Sequence, residues 1–141
     1  MISVTKIFRF ETAHAIHEYE GLCKNIHGHS YELHVTVSKS SSDNFILENG
    51  FVIDFKDLKS IVKTNVIEYF DHQIILSEKY IEAQPNLNKL ENLAIWKMEP
   101  SAENMVLFIK DKISNSFDTD IKLIKLRLYE TADSFAEWEH R

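Results

Sequence analysis

Ser30-Tyr31-Glu32-Leu33-His34-Val35-Thr36-Val37-Ser38 alternates apolar and polar side chains without a break. Successive side chains of a strand point to opposite faces, so Tyr31, Leu33, Val35 and Val37 share one face and Glu32, His34, Thr36 and Ser38 the other. Such a strand belongs to a sheet with one face covered and one face wet. Upstream, residues 2–11 read as a second strand, with Phe8 and Phe10 on one face and Ile7, Arg9 and Glu11 on the other. Downstream, Ser40-Ser41-Ser42-Asp43-Asn44 reads as a loop, and Phe51-Val52-Ile53 as extended chain within residues 45–54.

Two helices follow. Asp54 is placed to cap one from about Phe55 to Phe70, whose Leu58, Ile61, Val62, Val66, Tyr69 and Phe70 keep the i, i+3, i+4 spacing of an apolar stripe. Ser101 is placed to cap the other, to about Phe117, with Ala102, Met105, Val106, Ile109 and Ile113 as its buried stripe. Residues 71–100, broken by Gln84-Pro85-Asn86, read mainly as connection. The chain then returns to strands: Ile124, Leu126 and Leu128 alternate with Lys125, Arg127 and Tyr129, and a last strand covers about Ser134 to Glu139. The order β-β-α-α-β-β is that of an α+β fold, an antiparallel sheet with two helices packed on one face. The edges of such a sheet call for partners, so a homo-oligomer is expected.

The 141 residues suit one domain, 1–141, with a core that needs no disulfide. Lys and Arg number 16 against 22 Asp and Glu, a net charge of −6, which argues against nucleic acid as a partner. No apolar run approaches the roughly 20 residues of a membrane helix, and no signal peptide is read at the N-terminus. The single cysteine, Cys23, suits a reducing compartment, and a cytoplasmic protein is expected.

The chemistry concentrates between His14 and His29. In His27-Gly28-His29 an extended backbone puts both imidazoles on one face, in phase with Tyr31, Leu33 and Val35; His14 is in phase with Phe8 and Phe10. Two neighbouring strands thus aim three imidazoles at one point. Three nitrogen ligands suit zinc and leave a position open for water or substrate, as catalytic sites do. The competing reading is three surface histidines in a loop. His17 lies in loop, His34 faces the other side of its strand and His140 is near the terminus, so these three are set aside.

Other residues carry two or more readings each. Cys23 is a small buried hydrophobe, a thiolate beside a dication, or a fourth ligand that closes the site. Asp71-His72 either ends the first helix or pairs a carboxylate with an imidazole for proton transfer. Glu130 continues the Ile124, Leu126, Leu128 face, where an unpaired charge is expensive. It is either solvated past the strand end or the anchor for a ligand with paired N–H donors.

Phe10-Glu11-Thr12-Ala13-His14, Cys23-Lys24-Asn25-Ile26-His27-Gly28-His29, Asp71-His72, Pro100-Ser101-Ala102-Glu103-Asn104 and Glu130-Thr131, in that order over nearly the whole chain, resemble the 6-pyruvoyl-tetrahydropterin synthase / 6-carboxy-tetrahydropterin synthase family. The Cys-x-x-x-His-Gly-His element is the specific one. The resemblance implies the tunnelling fold, in which subunits join their sheets into rings and two rings stack as a hexamer, a dimer of trimers. It implies Zn2+ on His14, His27 and His29, Cys23 as the proton-abstracting base, and His72 assisted by Asp71 as a second acid/base group. Glu130 would hold the pterin ring, with Thr131, Ser101 and Glu103 near the same pocket.

The implied substrate is 7,8-dihydroneopterin triphosphate. The implied reaction is loss of triphosphate and, in the carboxy-forming branch, of acetaldehyde, giving 6-carboxy-tetrahydropterin for queuosine and 7-deazaguanine synthesis. Three residues between Cys23 and His27 resemble the bacterial carboxy-forming members. The retained cysteine speaks against the subgroup that cleaves dihydroneopterin side chains. Pro-Ser-Ala-Glu-Asn stands where the family favours Pro-Thr-x-Glu-Asn, and residues 77–99 match poorly. The alternatives are the pyruvoyl-forming enzyme, which eliminates triphosphate without cleaving the side chain, and a zinc- or pterin-binding oligomer without turnover.

Overall fold

The computed structural model describes residues 1–40 and 44–141. Ser41, Ser42 and Asp43 of the expected loop lie outside the described residues. The two leading strands are longer than expected: β1 is Ser3–His14 and β2 is His27–Lys39. They pair antiparallel along their whole length, from Ser3 opposite Ser38 to His14 opposite His27. β5 (Ile121–Thr131) lies on the other side of β2, and β6 (Ser134–Glu139) lies outside β5, both antiparallel.

The segment expected as connection contains two strands. β3 (Gln73–Ser77) pairs parallel with the last three residues of β1, and β4 (Leu93–Trp96) pairs parallel with β3. The sheet is therefore six-stranded and mixed, in the order β4-β3-β1-β2-β5-β6. Between β3 and β4 stand a short helix, α3 (Glu78–Ala83), capped by Ser77, and a 3-10 turn at Pro85–Lys89. The α+β class holds; the all-antiparallel sheet and the six-element order do not. Phe51-Val52-Ile53 is not a strand. Gly50 turns with φ 79° there, and the Asn49 side chain accepts from the Phe51 amide.

The first helix covers the expected span with an interruption. α1 (Phe55–Val62) is capped by Asp54, whose carboxylate accepts from the Lys56 amide at 2.8 Å. It passes through a π turn, Lys63–Ile67, into a last turn, α2 (Glu68–Phe70). α4 (Ala102–Ile113) starts at the expected Ser101 cap and stops short of Phe117. There the Ser114 hydroxyl donates to the Lys110 carbonyl, and Ser114 acts as the C-terminal cap.

The core sits between the helices and one sheet face. Phe10, Tyr31, Leu33, Val35, Leu126 and Leu128 from the sheet meet Leu58, Val62, Val66 and Phe70 from the first helix and Met105, Ile109 and Ile113 from α4. Phe10 stacks between Tyr31 and Phe70, at centroid distances of 5.3 and 5.1 Å. The opposite face carries ion pairs instead: Arg9 with Glu32, His34 with Glu32, and Arg127 with Glu137. Alternation in β1 and β2 is what sorts these two sets.

Candidate metal centre and its surroundings

The strand face that fills the core ends in the site. On β1, Phe8, Phe10 and Thr12 are buried and lead to His14, which is 2% exposed. On β2, Tyr31 and Leu33 lead back to His29 and His27. Glu130 stands one step past Tyr129 of β5, which pairs with Glu32 of β2. Ligand atoms of His14, His27, His29 and Glu130 all lie within 4.8 Å of one another. The expected trio therefore converges, and Glu130 joins it.

Hydrogen bonding fixes which ring nitrogens face inward. His14 Nδ1 donates to the Pro100 carbonyl at 2.6 Å, and His27 Nδ1 donates to the Asn25 carbonyl at 2.7 Å. A carbonyl accepts only, so each neutral ring carries its proton on Nδ1 and turns an Nε2 lone pair inward. Those two Nε2 atoms are 3.1 Å apart. Two lone pairs at that separation repel unless a proton or a cation lies between them. His29 Nε2 is buried and, among the described residues, has no hydrogen-bond partner. Glu130 Oε1 is 2.9 Å from it, a charge contact whose alignment does not make a hydrogen bond. Two facing lone pairs, one orphaned buried nitrogen and a carboxylate form a donor set that fits a divalent cation of the zinc type.

Electrostatics agree. Burial lowers the pKa of His14; the Pro100 bond and Glu130 oppose this, and the neighbouring histidines add to it. Burial also lowers that of His29, with Glu130 opposing and His27 reinforcing. Metal ligation needs neutral imidazoles, so the site favours its binding form. Tyr31, whose hydroxyl is 3.5 Å from His14 Nδ1, is pushed upward by burial and then by Glu130, and stays a phenol.

Cys23 lies in a 3-10 turn, Leu22–Lys24, and is half-buried. It is outside the four-residue ligand group. Asp71 and His72 are in contact: Asp71 Oδ2 is 3.0 Å from His72 Nδ1. The other carboxylate oxygen accepts from the Glu11 amide at 2.9 Å, and the His72 amide donates to the Glu11 carbonyl at 2.6 Å. The Glu11 bond, ahead of the His72 bond and charge, holds the Asp71 carboxyl below the usual carboxylate range. His72 takes a left-handed backbone, φ 64°, and its side chain is 76% exposed. It borders a cleft shared with Gly28, His29 and Ser30, which joins the expected acid/base group to the histidine site.

Thr131 borders a second cleft with Glu130 and His29, and its hydroxyl donates to Asp133 at 3.0 Å. Ser101 Oγ accepts from the Asn104 amide and so caps α4; Glu103 is exposed in the first turn. What this helix start brings to the histidines is the Pro100 carbonyl. Sequence reading missed three supports: the Pro100 and Asn25 carbonyls and the Glu11 backbone. They are main-chain groups with no residue-type signal.

The 6-pyruvoyl tetrahydropterin synthase family matches residues 3–141. A 6-carboxy-5,6,7,8-tetrahydropterin synthase of Haemophilus influenzae is 33% identical over 99% of both chains. One of Rickettsia conorii is 30% identical over 97% of this chain and 99% of its own. Among solved structures, a 6-pyruvoyl tetrahydropterin synthase of Caenorhabditis elegans has a TM-score of 0.67 at 20% identity, covering 99% of this chain and 96% of the other. An uncharacterized Wolinella succinogenes protein has a TM-score of 0.77 at 17% identity, covering 99% and 98%. The fold is thus the tunnelling fold of these synthases.

Proposed function

The chain belongs to the 6-pyruvoyl tetrahydropterin synthase family, and from that premise we propose that it is a zinc-dependent 6-carboxy-5,6,7,8-tetrahydropterin synthase. The observation that carries the reading is the convergence of His14 Nε2, His27 Nε2 and the orphaned His29 Nε2. The names of the Haemophilus and Rickettsia relatives support the carboxy-forming branch.

His14, His27 and His29 hold the metal in this reading. Bound there, zinc supplies Lewis-acid polarisation of the hydroxyls on the side chain of 7,8-dihydroneopterin triphosphate, acidifying the adjacent C–H bonds. Cys23, as thiolate, takes the proton from carbon. His72, oriented by Asp71, which is itself anchored to Glu11, returns or removes a proton at the side-chain oxygens. Glu130 turns its carboxylate to the paired N–H groups of the pterin ring. Thr131 on its cleft and Ser101 and Glu103 at the start of α4 border the substrate. Triphosphate leaves, a water adds at the side-chain carbon next to the ring, and the bond between that carbon and the next breaks, releasing acetaldehyde and leaving the carboxylate on the ring, the precursor used for queuosine and 7-deazaguanine.

Residues 1–141 act as one synthase domain in a reducing, cytoplasmic compartment, which the lone thiol suits. Among the described residues no helix is long and apolar enough to cross a membrane. A homohexamer, two stacked trimers, would pair open edges of the sheet, which are those of β4, of β6 and of β1 before Thr12, where β3 begins to pair.

Product analysis tests the assignment. The zinc-loaded protein should convert dihydroneopterin triphosphate with one acetaldehyde per turnover; triphosphate release without acetaldehyde makes it the pyruvoyl-forming enzyme. Cys23→Ala should keep zinc and lose most activity, at least about a hundredfold, the usual scale of an acid/base group. Zinc loss in that variant would make the sulfur a ligand and remove its role as base. The Glu130–His29 contact favours one second reading, a closed three-histidine, one-glutamate zinc site without turnover.

A further inference from the structure

Residues 15–26 leave the end of β1 and return to the start of β2, and the turn carrying Cys23 lies on this excursion. Its own closing bonds are short-range: the Lys24 amide donates to the Gly21 carbonyl and the Asn25 amide to the Leu22 carbonyl. Two hydrogen bonds fix it from further away. The Ile16 amide donates to the Cys23 carbonyl at 2.8 Å, and the Tyr80 hydroxyl donates to the Lys24 carbonyl at 2.7 Å.

Tyr80 belongs to α3 and is 6% exposed. It sits in a small second core with Ala15 and Leu76. Its ring meets that of His17 edge-on, with centroids 6.4 Å apart. The His17 amide in turn donates to the Glu99 carboxylate at 2.7 Å. Both ends of the excursion are thereby tied to the segment between β3 and α4. A phenol buried to its ring and bonded at its tip is a stiff strut, with two torsions to fix its reach.

We propose that Tyr80 is a positioning residue, which holds the Cys23 turn in register with the histidine site through its hydrogen bond to the Lys24 carbonyl. The role in turnover rests on the reading of Cys23 as the base; the strut itself does not. Proton abstraction from carbon needs the thiolate in a narrow range of distance and angle. Freeing the turn lowers the fraction of time spent there and exposes the sulfur to solvent.

Cys23 is the only cysteine, so its alkylation reports on this turn alone. Tyr80→Phe, made in the zinc-loaded full chain, should alkylate with iodoacetamide about fivefold faster than wild type, the factor that goes with losing one hydrogen bond of about 1 kcal/mol. Its kcat for dihydroneopterin triphosphate should fall by a similar factor, with KM within about twofold and zinc content unchanged. A merely structural role would lower the melting temperature without splitting kcat from KM. An unchanged alkylation rate overturns the proposal, as does faster alkylation with unchanged kcat in an active enzyme. Faster alkylation in a protein whose wild type does not turn over keeps the strut and removes the synthase reading. Glu99→Ala, which frees the His17 amide on the same excursion but leaves the Tyr80–Lys24 bond intact, is the control: alkylation as fast as in Tyr80→Phe would place the restraint outside the phenol and overturn the proposal, and a rate near that of wild type supports it.

Discussion

Acidification from pH 6.5 to 5.5 separates a buried histidine site from three ordinary imidazoles. Ordinary imidazoles with pKa near 6.5 would each go from about half to about one-tenth neutral over that unit, so a metal needing all three neutral would lose about 170-fold in affinity. Here burial holds two of the three rings, His14 and His29, below that ordinary value. Both stay more nearly neutral over that unit than an ordinary imidazole does, so the expected loss of zinc affinity is well under about 170-fold. The same shift acts on metal-free stability. Above pH 6.5 both rings are neutral folded or unfolded, and nothing changes. Below 6.5 the unfolded chain takes up protons that the folded one refuses, so stability falls as pH drops toward the lowered folded values. Competition against a chromophoric chelator of calibrated proton dependence, between pH 7.5 and 5.5, reads the affinity, and urea denaturation of the metal-free protein reads the stability. A loss of about 170-fold or more over that unit would refute the argument, because it would mean rings that titrate as if in water.

Two further outcomes follow from single bonds. Thr12 is buried and its hydroxyl donates to the Phe70 carbonyl at 2.7 Å, just ahead of Asp71. Thr12→Val keeps the shape and removes the donor, and should lower the unfolding free energy by about 1–3 kcal/mol in urea denaturation; a change under about 0.5 kcal/mol would mean the carbonyl finds another partner. Glu130→Gln keeps the volume and removes the charge. If Glu130 holds substrate, zinc content stays and pterin binding weakens by about ten- to a hundredfold, the worth of a charge-assisted pair. Loss of zinc in that variant assigns the carboxylate to the metal and sustains the closed site.

The parts of this fold with strict period were legible. Alternation from Tyr31 to Val37 gave the covered face, and extending it backward placed His27 and His29 on that face; the same parity in β1 placed His14. Glu130 was legible as a charge on a core-facing row, but its approach to His29 depends on the pairing of β2 with β5. β3 and β4 escaped because Ile74-Ile75-Leu76 and Leu93-Ala94-Ile95-Trp96 are short apolar runs without alternation, and parallel strands lack that signal. The π turn at Lys63–Ile67 leaves the apolar stripe nearly helical, so no pattern announces it. The tyrosine strut and the carbonyl partners of His14 and His27 are contacts across long sequence separations, or to groups every residue shares.

The last pair of the β1–β2 ladder is His14 opposite His27. Two of the three histidines are therefore locked to each other by the ladder, whatever the chain does between them. Residues can be inserted into or deleted from the excursion at 15–26 without shifting either imidazole, since loop length adds only a slowly growing closure cost. The thiol rides on that excursion, and the imidazoles do not. On the assignment proposed above, evolution can thus retune where the base stands, or exchange it for another group, while leaving the histidine platform intact, and a single scaffold can diverge in its chemistry by editing one hairpin loop.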